Sequence, residues 1–401
     1  MQKEICNKLE CTGCGACAAV CPKKCIEMKE SSEGFAYPEV DAAACINCDL
    51  CTKTCHINQT LETSKADFYM GWHKEQAVQL KSSSGGVFTA LAQYVFSRGG
   101  VVAGAELNSG TGEVVHTIIT DCAELQRVRS SKYYQSSTKE IFAQVRRYLD
   151  DGRYVLFSGV ACQIAALKAY LKHKPYEKLI TVDVLCHGVA SKKTVDAYIQ
   201  SREKAFGKKI IRYSFRVKGG NTAWENGGST RTQLFFEDGS DIIEDQSTGT
   251  FFKGFNNNLF LRESCYKCHY CGTDRIADFT IADFWGVSRS KVTKEQLKNG
   301  VSLILANTGR ARAMLPELRQ YMEFEEIGAG EAIPYNKALV QPNTRPADRD
   351  RYFAEIGRKS YDSLIHRYYR KYYIKLKLKR LLSGILGEKN FAKLKSGGKD
   401  S

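Results

Sequence analysis

The sequence predicts a small, cysteine-rich α+β domain at the front and a larger α/β domain with a partly parallel sheet and a second β region behind it. A helical, basic C-terminal tail completes the chain. Three observations predict this. A four-cysteine run recurs within the first 55 residues, two strand–loop–helix units follow one another between Tyr154 and Phe206, and positive charge gathers beyond Gly357. A length of 401 residues suggests two or three domains, and an apolar content of 43% is enough to bury a core.

Cys11, Cys14, Cys17 and Cys21 are followed by Pro22, and Cys45, Cys48, Cys51 and Cys55 repeat their spacing. C-x2-C-x2-C-x3-C, twice, is the ligand run of a ferredoxin with two [4Fe–4S] clusters. Three thiolates about one turn apart wrap three corners of a cubane, and the fourth reaches across to the other cluster. One cluster then takes Cys11, Cys14, Cys17 and Cys55, and the other Cys45, Cys48, Cys51 and Cys21. Zinc also binds C-x2-C pairs, but a four-ligand zinc site gives no reason for the third and fourth cysteines to recur. Cys55 is followed by His56 where a second Pro is usual, and Cys6 and Cys25 read as spare thiols outside the frame. With EGFAYPEVD as a strand pair between the runs, residues 1–60 form a ferredoxin-like domain, and Asn58 to Lys65 reads as a linker.

The opening MQKEICNKLE lacks the apolar core of a secretory signal, and no run of about eighteen apolar residues is present to span a membrane. Sixteen cysteines without a signal argue for a reducing compartment and for metal ligation over disulfides, hence a soluble, cytoplasmic chain. Of the formal charge of +15, a net +10 lies between Gly357 and Ser401. The excess belongs to the tail, so the body is not expected to bind nucleic acid.

The second domain covers residues 66–340. ADFYMGWH is a strand, and KSSSGG leads into a helix whose apolar stripe is Val87, Leu91, Tyr94 and Val95. VVAGAEL and EVVHTIIT form a hairpin about NSGTGE. A helix from Lys139 to Leu149 precedes the strand YVLFS, the loop GVACQ and the helix IAALKAYL. LITVDVL, CHGVAS and KKTVDAYIQSREKAF repeat that order. Two such units imply parallel strands joined by right-handed crossovers, with a site beyond the strands' carboxyl ends. Cys162 and Cys186 fall there. IIRYSFRV and TRTQLFFEDGS alternate as the second β region, Phe251–Phe260 is helical, and DFTIADFWG is strand-like. KEQLKNG is a helix, VSLILAN is the last clear core strand, and Pro342 to Arg351 opens a linker and tail over 341–401.

Several stretches carry chemistry. In SSSGG (82–86), serine side chains would cap the helix and the two glycines would admit a phosphate to its positive end; an ordinary cap with a glycine turn is the plainer reading. Cys162 at a helix start is a nucleophile, a ligand or an inert thiol, and Cys186–His187 would suit a Cys–His pair. Cys162, Cys186, Cys265 and Cys268 together could hold a third [4Fe–4S] cluster, a zinc ion or nothing. Asp278, Asp283 and Trp285 contact a ligand or cap a turn, and Arg129, Lys132 and Tyr133 in RSSKYYQS form a basic, aromatic loop suited to an anion.

SSSGGVFTALA, RSSKYYQS, VLFSGVACQIAALK, VDVLCHGVAS and SCYKC…ADFTIADFWG, in this order over roughly residues 66–290, resemble the family of coenzyme F-420 (deazaflavin) hydrogenase/dehydrogenase beta subunits. The resemblance implies FAD in the body and a cluster beside it on Cys162, Cys186, Cys265 and Cys268, for three [4Fe–4S] clusters in all. GVACQ stands where GTPCQ is usual, and Cys271 is either spare or replaces Cys162. Flavin contacts carry over onto Ser84, Gly85, Gly86, Lys132 and Tyr133. The implied function is an oxidoreductase passing electrons between a ferredoxin-like protein, the clusters, FAD and a small-molecule substrate, in polysaccharide synthesis by analogy with bacterial members. The rival is a non-catalytic electron-transfer subunit of a larger redox complex. Substrate, direction of electron flow and catalytic residues are open. In the tail, Ile374, Leu378, Leu381, Leu382, Ile385 and Leu386 share a helical face, which reads as a membrane-surface helix, a docking helix for an acidic partner, or a helix packed on the body.

Overall fold

The computed structural model describes residues 3–108, 111–138, 140–218, 231–244, 248–288, 291–376 and 378. The front unit is built on its two cysteine runs. Each run carries a five-residue helix, Ala16–Val20 and Leu50–Thr54, whose C-cap is the fourth cysteine, Cys21 or Cys55. Each helix begins on a left-handed residue, Gly15 at φ 74° and Asp49 at φ 60°. Strands β1 (Ile26–Glu30) and β2 (Ala36–Val40) pair antiparallel between the runs.

The body is an eight-stranded mixed sheet of β3 (Asp67–His73), β4 (Val101–Asn108), β5 (Glu113–Ile119), β6 (Val155–Val160), β7 (Leu179–Val184), β11 (Phe279–Asp283), β12 (Ser302–Ala306) and β13 (Met322–Glu326). Their order is β13-β3-β12-β11-β7-β6-β4-β5. The central β4, β6, β7 and β11 run parallel, as the repeated strand–helix units require, and the flanking pairs are antiparallel. The parallel strands read as continuous apolar runs because helices cover both faces. Helix Val87–Phe96 packs with Leu91, Val95 and Leu156 on one side, and helix Ala161–Tyr170 with Ile164, Phe142 and Phe157 on the other. A separate antiparallel sheet of β8 (Ile210–Phe215), β9 (Thr232–Phe236) and β10 (Asp241–Glu244) shares an aromatic core with Phe251, Phe255, Phe260 and Tyr352.

Three expectations are corrected. VSLILAN is followed by a further strand, β13, whose MEFEE sequence hides an edge strand: only Met322 and Phe324 face the core. The helix after GVACQ starts at Ala161, so Cys162 lies inside its first turn. Residues 342–351 do not open a free linker, because helices Arg349–Glu355 and Tyr361–Tyr368 bury Tyr352, Tyr361, Leu364 and Ile365 in the aromatic core. The expected amphipathic tail face beyond Leu378 lies outside the described residues. Among the described residues no helix is long and apolar enough to cross a membrane.

Candidate functional site

In the front unit the thiols gather in two small cavities. Cys11, Cys14, Cys17 and Cys55 line one, and Cys21, Cys45, Cys48 and Cys51 line the other. The crossing arises because each helix's last cysteine turns away from its own run. Cys6 joins the first cavity and Cys25 the second. Among the described residues no set of three or more His, Cys, Asp or Glu side chains already stands ready to hold a metal ion. What the backbone supplies is convergence of soft donors of the kind iron–sulfur clusters take. Burial pushes the Cys14 thiol up to about 12, and a bound metal cation would favour its thiolate.

A third thiol group forms at the carboxyl edge of the parallel strands. Cys162 follows β6, Cys186 follows β7, and Cys265, Cys268 and Cys271 come from the segment 263–271 that folds over them. Burial raises the thiols of Cys162, Cys186 and Cys265; Cys186, Cys268 and Cys265 raise Cys162 further, Cys265 and Cys268 raise Cys186, and Cys268 raises Cys265. The neighbouring Cys271 thiol lowers the Cys268 thiol to about 6. The structure therefore brings Cys162, Cys186, Cys265 and Cys268 together and sets Cys271 beside them. His187 does not form a pair with Cys186. Its Nε2 lies 3.2 Å from Phe255 O, and its ring rests on Phe255.

The five thiols share a cavity of about 720 Å³ with the loops 82–86 and 129–135, and with Glu10, Thr12 and Ile57 of the front unit. Ser84, Gly86, Lys132 and Tyr133 line it, whereas Gly85 does not. Gly85 is turned to the sheet: its N–H donates to Ser302 Oγ at 2.9 Å, and a Cβ there would meet Gly71 O at 2.5 Å. The expected serine cap is also absent. Gly86, at φ 94°, is the N-cap of the helix, and Ser84 Oγ donates instead to Val301 O. The cap therefore leaves the helix's N-terminal end facing the cavity.

Arg216, buried, and Lys132, half-buried, are two of the basic side chains lining the cavity. Arg216 binds Asp283 through two hydrogen bonds of 2.7 and 2.8 Å and donates to Ser83 O at 3.0 Å. Lys132 donates to Arg129 O at 2.8 Å, and burial lowers its pKa to about 7. Trp285 lines the cavity near the Arg216 guanidinium, 5.8 Å away. Asp278 lies elsewhere: it accepts from Thr181 and Thr308 and ties β7 to the segment after β12.

Three arginines of this region were not among the sequence candidates. Arg275 pairs with Asp183 in a fully buried contact and fixes the 268–275 loop to the end of β7. Arg262, 1% exposed, donates to Cys11 O at 2.8 Å, Ala36 O at 2.8 Å and Gln135 Oε1 at 3.0 Å, clamping the front unit to the body. Arg216 lies on the second β region. A signal existed for two of the contacts. Asp183 is the one charge in LITVDVL and Arg262 the one in NNNLFLR, and a lone charge inside an apolar run implies a buried partner.

Contacts run from the front unit to the third thiol group. Thr12 Oγ1 lies 3.1 Å from His56 Nε2, Tyr270 Oη lies 2.5 Å from His56 Nδ1, and Tyr270 N–H donates to Cys268 Sγ at 3.4 Å. Burial lowers the His56 pKa to about 4, so the ring is neutral at physiological pH.

A two-cavity thiol unit clamped onto a Cys-edged α/β body defines an iron–sulfur redox protein. The chain belongs to the family of coenzyme F420 hydrogenase/dehydrogenase beta subunits: its N-terminal model matches residues 68–142 and its C-terminal model residues 152–329. A 4Fe-4S dicluster domain model matches residues 10–58. A component of the F(420)H(2) dehydrogenase of Methanosarcina mazei is 24% identical over 192 residues, 44% of this chain and 53% of that protein. The Rpo3 component of the DNA-directed RNA polymerase of the same organism is 39% identical over 80 residues, 20% of this chain and 26% of that one. The chain thus spans about half or less of the curated relatives it matches. A chain of the xenon-derivatised F420-reducing [NiFe] hydrogenase complex from Methanosarcina barkeri aligns with a TM-score of 0.46 and 16% identity, covering 77% of this chain and 93% of that chain.

Proposed function

We propose that the chain is an electron-transfer subunit of a larger redox assembly, in which three [4Fe–4S] clusters lead to a planar two-electron carrier in the large cavity. Cys11, Cys14, Cys17 and Cys55 would hold the first cluster, Cys45, Cys48, Cys51 and Cys21 the second, and Cys162, Cys186, Cys265 and Cys268 the third. The observation that carries this is that the third thiol group, the 82–86 and 129–135 loops and the front unit all line one cavity. Its volume, about 720 Å³, falls in the range of cofactor sites. The carrier would be FAD or the F420 of the family's description, which share a tricyclic ring and an anionic tail. A flavin supplies the conversion between single electrons from clusters and a hydride.

The chain's own residues have separate parts in this reading. Trp285 and Tyr133 flank the ring's space, Lys132 and Arg129 meet anionic oxygens, and the Arg216–Asp283 pair holds the 82–86 loop in place. Polysaccharide synthesis has no specific support and is not part of the proposal, and no catalytic residue is assigned. A redox protein such as ferredoxin would deliver or accept electrons at the front unit, and a small-molecule substrate would meet the carrier.

Iron and sulfide analysis of anaerobically purified protein tests the clusters: about twelve Fe per chain is expected. Denaturation releases FAD if FAD is the carrier; if none is released, titration with F420 tests the other. About eight Fe, with neither FAD released nor F420 bound, refutes the body-domain part.

A further inference from the structure

All sixteen cysteines except Cys122 fall into three groups of five: Cys6 with Cys11, Cys14, Cys17 and Cys55; Cys25 with Cys21, Cys45, Cys48 and Cys51; and Cys271 with the third set. A [4Fe–4S] cluster takes four thiolates, so each group carries one thiol beyond need. Cys25 Sγ lies 3.4 Å from Cys21 Sγ, and both line the cavity of Cys45, Cys48 and Cys51. A tight turn places them there: Lys24 N–H donates to Cys21 O at 3.1 Å, Lys24 is left-handed at φ 50°, and Cys25 O accepts from Asp41 N–H at 2.8 Å. Cys25 is buried, whereas Cys21 is partly open to solvent.

We propose that Cys25 is a reserve ligand for the cluster of the second cavity, taking the iron corner of Cys21 when that thiolate is lost. In the exchange the Cys25 thiol releases its proton to solvent and its sulfur bonds the iron, while the departing Cys21 sulfur, where present, takes up a proton. One thiolate replaces another and no electron changes hands. A side chain separation of 3.4 Å lets the swap proceed by rotation about Cα–Cβ, with the cubane held by its other three ligands. A partly open corner of the cluster is thereby backed by a sheltered donor.

This rests on the ligand set proposed above for the second cavity, and the variants separate the two. Full-length wild type, Cys48→Ala, Cys21→Ala, Cys21→Ser, Cys25→Ala and the Cys21→Ala/Cys25→Ala double variant are purified anaerobically. Iron and sulfide per chain and the electron paramagnetic resonance of the dithionite-reduced protein are read for each. Cys48→Ala should lose about four Fe; if it loses none, the ligand set itself has failed. Cys25→Ala should keep the full count. Cys21→Ala and Cys21→Ser should keep it too, with a shifted resonance, and Cys25 should resist iodoacetamide in both. The double variant should lose about four Fe. Loss of the cluster in both single Cys21 variants, or a retained cluster with Cys25 freely alkylated, overturns the proposal.

Discussion

Replacing Arg262 by Met should loosen the front unit from the body without unfolding either. The guanidinium is 1% exposed, makes three hydrogen bonds of 2.8 to 3.0 Å, and stands 4.3 Å from the Tyr37 ring centre. Each hydrogen bond to a charged donor contributes about 1.5–3 kcal/mol, and a buried cation–π contact about 2 kcal/mol. These are not additive, because the three acceptors share one donor group, and removing the buried charge recovers part of the loss. We therefore expect about 3–5 kcal/mol, as when one member of a buried charged contact is deleted. At about 1.4 kcal/mol per tenfold, that is roughly two to three and a half powers of ten in the opening equilibrium. Hydrogen exchange read by mass spectrometry should show the amides of residues 7–18 and 26–40 exchanging faster by this factor, with β6 and β7 unchanged and iron content retained. A change below about tenfold, or an equal loss of protection throughout the sheet, would refute the assignment of Arg262 as the clamp.

Gly13→Ala should reproduce part of that effect, since Gly13 is left-handed at φ 65° and a Cβ there would lie 2.7 Å from Arg262 Nη1. Hydrogen exchange over the same segments should quicken by at least the ~1–2 kcal/mol of left-handed strain. Asp283→Asn leaves Arg216 buried without its counter-charge and should cost about 3–5 kcal/mol in chemical unfolding, with the Asp283→Asn/Arg216→Met double variant recovering much of it. Burial holds the Lys132 pKa at about 7, so its ammonium is charged below pH 7 and neutral above. Inorganic pyrophosphate should therefore bind more tightly at pH 6 than at pH 8 in calorimetric titration, and Lys132→Met should flatten that dependence. The same lowered pKa makes the lysine's contribution to stability fall as pH drops from its unfolded value toward 7, because the unfolded chain then holds a proton that the folded chain lacks.

Much of the site was legible because thiol spacing is rigid information. The repeated run named both cavities and their crossed membership, and the strand–loop–helix repeat placed Cys162 and Cys186 at one edge of the sheet. Local reading failed where tertiary partners decide the outcome. SSSGG carries the composition of a capped phosphate loop, yet Ser84 is spent on Val301 O and Gly85 on Ser302. Tyr352, Leu364 and Ile365 sit in a stretch read as linker and basic tail, for which a helix packed on the body is one of three readings. The aromatic core around Phe251 and Phe260 is the surface they cover. The buried arginines were visible only as isolated charges in apolar strings, and their partners lie up to 251 positions away.

The clamp between the two units has a property that bears on how such chains diverge. Body side chains donate to main-chain oxygens of the front unit: Arg262 to Cys11 and Ala36, Gln135 to Thr12, Thr138 to Cys14, Ser191 to Glu33 and Lys193 to Ser32. A carbonyl oxygen is the same group whatever residue bears it, so this seam recognises the path of the chain more than its spelling. Side chains of the front unit enter the seam at fewer points, as where Glu33 accepts from Arg349 and His56 meets Tyr270. Most substitutions on the outward face of the front unit should therefore leave the socket as it is.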